Sequence, residues 1–211
     1  YSPYNRDKLM TAGAGEKALH ILSKNVRDPT VAAQICRVVH FLAFDAPSKS
    51  LLRQSGACER ILMILQTHIQ SEDMVHLVGI ALLALAHDCA ENRKVLLEKN
   101  VCEDMILAIR SHCTVLHVGK VLCDAISCVV DGDVSHLKEH AVHSFSVAVS
   151  TFFQRFWENK DCCHSACHVV SLLSNIPECQ VTFEKCGICD QLILAIQEHS
   201  LCAETVSLCC D

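Results

Sequence analysis

The 211 residues carry 18 Lys and Arg against 24 Asp and Glu, a formal net charge of −6, with no basic run. Counterion release has no evident source in such a chain, so a nucleic-acid partner is not expected. The chain is 51% hydrophobic, but no apolar run reaches the ~20 residues that span a bilayer, and 7 Gly with 4 Pro are too few for the turns of a strand-rich domain. The composition predicts an all-α protein. It starts at Tyr1 without a signal peptide and stops at Asp211, just after the apolar stretch Val206 to Cys210. It is therefore expected to be a cytoplasmic piece of a longer chain.

The predicted elements recur along the chain. Asn5 to Ala12 reads as a short helix that stops at Gly13, and a second helix follows from Ala14. The same order returns with Ser48 to Ser55 before Gly56, Asn92 to Lys99 before Asn100, and Cys179 to Cys186 before Gly187. A fainter copy starts at Ser144. The starts 13, 56, 100, 144 and 187 are 43 or 44 residues apart. Asn5, Ser48 and Asn92 share one position, and Asn and Ser suit a helix N-cap. Gly and Asn suit the left-handed residue past a helix end. A third helix is expected over about Asp73 to Ala86, with Val75, Val78, Leu82 and Leu85 on one stripe. A single unit cannot bury its apolar face alone, whereas stacked units can. The units run over about 5–47, 48–91, 92–134, 135–178 and 179–211, within one domain covering 1–211.

The period, the glycine between the first two helices, and the pairs Ala81-Leu82 and Ala84-Leu85 in the third resemble the armadillo-repeat family. HEAT repeats, with two helices per unit, are the near alternative. The resemblance covers nearly the whole chain. It implies a right-handed α-solenoid of about five repeats, the last incomplete. It also implies a protein–protein interaction scaffold whose third helices line a groove for an extended partner segment. Nuclear-import receptors of that family carry Trp and Asn ladders on the third helix. Here the Trp positions hold Arg37, Ile80, Asp124 and His168, and the Asn positions hold Phe41, Ala84, Cys128 and Leu172. Neither ladder is present, so nuclear-localisation peptides are not the expected ligand.

His76, Lys120 and His164 share one repeat position. With Arg37, Ile80, Asp124 and His168 they form the candidate groove, suited to an acidic or phosphorylated protein segment. The competing reading is an ordinary solvated helix face. A different class of function is a structural element of a larger assembly, cytoskeletal or ciliary, packing against other domains of its own chain.

Sixteen cysteines invite sharper chemistry. Cys58, Cys102 and Cys189 share one repeat position; Cys36, Cys123, Cys167 and Cys210 share another. Recurring small apolar residues inside helices account for both sets as reduced core thiols. Cys163 with Cys167, and His164 with His168, have i, i+4 spacing that could chelate a metal, but the two pairs are offset by about 100° around the helix. Cys186-Gly187-Ile188-Cys189 has C-x-x-C spacing without a second copy. A thiol-based metal or redox sensor is thus a minor reading, and no cofactor is expected. His68, His112 and His199, at the ends of second helices, are read as partners of orphan carbonyls. Phe152, Phe153, Phe156 and Trp157 are either a bulkier core or an exposed hot spot. Glu103 and Asp104 read as surface carboxylates. No nucleophile elbow, phosphate loop or metalloprotease helix occurs, so no enzyme is predicted.

Overall fold

A computed structural model describes residues 3–137, 139–200 and 202–210. Tyr1, Asp211 and the side chain of Cys210 lie outside the described residues. The described chain is all-helical, with no strand. It forms two compact units, residues 1–104 and 105–211.

The first unit holds α1 (Pro3–Thr11), α2 (Ala14–Asn25), α3 (Pro29–Leu42), α4 (Ala46–Gln54), α5 (Ala57–Thr67), α6 (Glu72–Ala86) and α7 (Ala90–Glu98). The boundary falls inside α8 (Val101–His112). α2 packs on α3 and α5, and α3 packs along α6. Leu19, Leu22, Val39, Leu52, Ile61, Ile64 and Leu82 are buried between them, each worth about 1.5–3 kcal/mol relative to exposure. The predicted stripe of α6, Val75, Val78, Leu82 and Leu85, is fully buried.

Helices end where the sequence supplies left-handed residues. Gly13, Gly56, Asn100 and Gly187 have φ of 73, 75, 59 and 66°, the region where a Cβ costs roughly 1–2 kcal/mol. The N-caps differ from the expected ones. Asn5, Ser48 and Asn92 lie inside α1, α4 and α7, which start earlier. Asp45 caps α4: its carboxylate accepts from the Ser48 amide at 2.8 Å, with Pro47 in the first turn. Asp28 caps α3 in the same way. Asn92 is completely buried. Its Nδ2 donates to the Leu85 carbonyl at 2.8 Å while its Oδ1 accepts from Arg53 at 3.0 Å.

The second unit holds α9 (Leu116–Val130), a 3-10 turn Val134–His136, α10 (Glu139–Phe156), α11 (Lys160–Ser174), α12 (Pro177–Lys185), α13 (Ile188–Glu198) and α14 (Ala203–Cys210). α11 packs against α9, α10 and α14. Ser144 does not begin a helix here; it lies within the 18-residue α10, because neither Gly nor Asn stands there to reverse the chain. Phe152 and Phe153 are buried, which makes them core, while Phe156 and Trp157 are half-buried. Phe152 also fills the space that Gly119 of α9 leaves open.

Two stability predictions follow from these contacts. A Cβ on Gly119 would overlap the Phe152 ring, so Gly119→Ala should cost about 1–3 kcal/mol in urea unfolding. Adding Phe152→Leu should make the pair markedly less than additive; additive losses would disprove the contact. Asp45→Ala should cost about 1 kcal/mol at neutral pH. Hydrogen bonds from Ser48 hold the Asp45 carboxyl below its ordinary value, so its contribution is complete above the unfolded value of about 3.9. It is lost as the pH falls through the lower folded value. The difference between wild type and variant should therefore vanish in acid.

Candidate functional site

In the first unit an open groove of about 970 Å³ runs beside α3, α4 and α6. Arg37 and Ile80, both expected groove residues, line it, with Arg37 exposed and Ile80 half-buried. His76 is half-buried on α6 and is not among the lining residues. Arg6, His40, Phe41, Phe44 and Lys49 complete the lining, and register on the third helix did not point to Arg6, Phe44 or Lys49.

The groove is basic on an acidic chain. Arg6, Arg37 and Lys49 line it with the carboxylate of Asp88, which pairs with His87 at 3.1 Å, and the Asp45 carboxylate lies within electrostatic reach of Arg6 and Lys49. Lys49 is buried and its Nζ donates to the His87 carbonyl. The Arg6 guanidinium lies 3.4 Å from the centroid of the Phe44 ring and 5.8 Å from that of Phe41, which is cation–π geometry. Its Nε is buried without a hydrogen-bond partner. Phe44 stays 64% exposed. Together these residues offer guanidinium donors beside an open aromatic face.

In the second unit Lys120, Asp124 and His164 come together in a cavity of about 320 Å³, with Lys160, Asp161 and Cys202. Lys120 Nζ donates to Asp124 at 2.7 Å. Partial burial alone would lower the Lys120 pKa, but the Asp124 carboxylate outweighs it and holds the ammonium above its ordinary value. His168, exposed on α11, does not line this cavity. Asp104 is half-buried, accepts from Gln66 at 2.7 Å, and is raised by that burial.

Two of the histidines at second-helix ends, His68 and His199, bond carbonyls 42 residues earlier in the chain. His68 closes α5, and its Nε2 lies 2.7 Å from the Val26 carbonyl at the end of α2. His199 closes α13 and contacts the Trp157 carbonyl just past α10, also at 2.7 Å. A ring with a proton on Nε2 donates in both. His112, at the equivalent position, is buried.

Among the described cysteines, Cys36, Cys58, Cys89, Cys102, Cys123, Cys162 and Cys179 are buried outside any cluster. Burial pushes Cys36, Cys58 and Cys102 up to about 12 and Cys123 higher still. In the C-x-x-C segment Cys186 is half-buried and Cys189 exposed, with Gly187 between them serving the chain reversal. Cys163 and Cys167 share a buried face of α11, their sulfurs 3.9 Å apart, and Cys209 of α14 reaches Cys167 at 3.4 Å. Neither His164 nor His168 belongs to this group of converging ligand atoms. Sequence spacing identified the pair but could not supply the third sulfur, 42 residues away.

No family model, curated protein or solved structure matches the chain. No described helix is long and apolar enough to cross a membrane.

Differential labelling tests the thiol assignment. In native protein near pH 8, an alkylating reagent should modify Cys189 first. Cys36, Cys58, Cys102 and Cys123 should react only after unfolding, because both burial and protonation remove the thiolate nucleophile. Peptide mapping that found any of those four labelled early would contradict their placement.

Proposed function

We propose that this chain is a right-handed armadillo-type α-solenoid of about five repeats, the last incomplete. It acts as a non-catalytic cytoplasmic scaffold that holds an acidic or phosphorylated protein segment. The segment belongs to another protein or to another part of the same chain. The groove of the first unit carries this reading. Arg6, Arg37 and Lys49 line it beside a single lining carboxylate, Asp88, on a chain of net charge −6. Phosphate and carboxylate oxygens match guanidinium donors, and the Phe44 face suits an apolar neighbour in the bound segment. Lys120 and His164 give the second unit a smaller polar site, where Asp124 neutralises much of the charge.

A second reading, a structural element that packs within a larger assembly, draws support from apolar side chains left in solvent. Met63, Leu107 and Leu194 stand at one repeat position, seven residues after each chain reversal, and are 45, 48 and 45% exposed.

Fluorescence anisotropy with acidic, phosphorylated and neutral peptide sets distinguishes the two. Acidic peptides should bind in preference to neutral ones, and Arg37→Glu should weaken them about tenfold or more, a change of about 1.4 kcal/mol. His76→Ala, Lys120→Ala and His164→Ala together test the wider groove. Binding that ignores peptide charge and survives Arg37→Glu would refute the groove and favour the structural reading.

A further inference from the structure

The sulfur atoms of Cys163, Cys167 and Cys209 meet where α14 lies against α11. We propose that they form a three-thiolate site for a soft monovalent metal ion, copper(I). This site is independent of the scaffold reading.

Geometry carries the proposal. The sulfurs are 3.9 Å apart for Cys163 and Cys167 and 3.4 Å apart for Cys167 and Cys209, and all three lie within 4.8 Å of one another. A metal bonded to sulfur at ~2.3 Å spaces its ligands ~3.8 Å apart in a tetrahedron and ~4.0 Å apart in a triangle. One ion therefore fits between these atoms after adjustments of less than about an ångström by that measure. Two ligands sit one turn apart on a single helix, which fixes their separation. The third comes from the helix packed against it. Among the described residues, no other three cysteine, histidine or carboxylate ligands converge in this way.

The ligand set selects the ion. Three sulfurs without oxygen favour soft metals. Zinc almost always takes four ligands, and no fourth converges here among the described residues. Three thiolates satisfy copper(I). Cys163 and Cys167 are buried and Cys209 is half-buried, so solvent has little access to complete a larger shell.

On binding, each of the three cysteines forms a copper–sulfur bond as its S–H proton passes to solvent. Nothing is oxidised or reduced. The bound ion joins α11 to α14, so it should also raise the melting temperature of the chain.

The test is anaerobic titration of the reduced, full 211-residue chain with copper(I), against bicinchoninate as competing chelator. X-ray absorption of the loaded protein is recorded alongside. One retained copper per chain, with only sulfur neighbours, is expected. Cys163→Ser and Cys209→Ser should each weaken retention by at least about tenfold, while a Cys186→Ser, Cys189→Ser double variant should retain copper as wild type does. Loss of all copper to the chelator would overturn the proposal. So would nitrogen or oxygen neighbours, retention that depends only on Cys186 and Cys189, or zinc held at these sulfurs in preference to copper. The absorption spectrum of the wild type decides the matter even if a serine variant fails to fold.

Discussion

The organisation of this chain depends on one backbone constraint, a left-handed residue between two helices. At Gly13, Gly56, Asn100 and Gly187 a left-handed residue ends a two-residue link between helices, and the next helix begins at once. No longer loop intervenes at these four points. The conformation also decides which residue types can stand there, since a Cβ at positive φ crowds the following carbonyl. Where the fourth stretch has Ser144 instead, the helix runs on as α10.

Reversal without a loop leaves helix ends with unmet polar groups, and the other half of the design is how those are satisfied. The second helices that start at Gly13, Gly56 and Gly187 have no side-chain N-cap. Carbonyls near other helix ends are met by side chains of other helices or their ends. His68 reaches Val26, His199 reaches Trp157, Asn92 reaches Leu85, and Lys49 reaches His87. Each such bond contributes only about 0.5–1.5 kcal/mol, but leaving its carbonyl unmet inside the protein costs about 1–3 kcal/mol. His68 and His199 are thereby engaged in holding the fold.

Local rules made part of this legible. Positive-φ residues and apolar stripes depend on neighbours within a few positions, and both were found where the sequence placed them. The N-caps were misplaced for a physical reason. Asn5, Ser48 and Asn92 have capping chemistry, but Asp45 with Pro47 starts α4 earlier, and Asn92 is drawn inward by Leu85 and Arg53. The groove was partly legible. Arg37 and Ile80 followed from helix register, whereas Arg6, Phe44 and Lys49 come from α1, the end of α3 and α4, which that register does not reach.

The cysteines separate what a side chain is from what surrounds it. At Cys36, Cys58 and Cys102 sulfur serves as a small apolar filler, and burial that raises the thiol pKa also makes it inert. Cys167 shares its repeat position with Cys36 and Cys123, so by register it should be equally silent. What differs is the helix against it: α14 brings Cys209 within 3.4 Å, while Cys163 adds a second sulfur from its own helix. A polarisable atom that is inert alone becomes part of a soft ligand set when three converge. Chemistry at this corner is therefore decided by the packing of two helices and not by the abundance of cysteine.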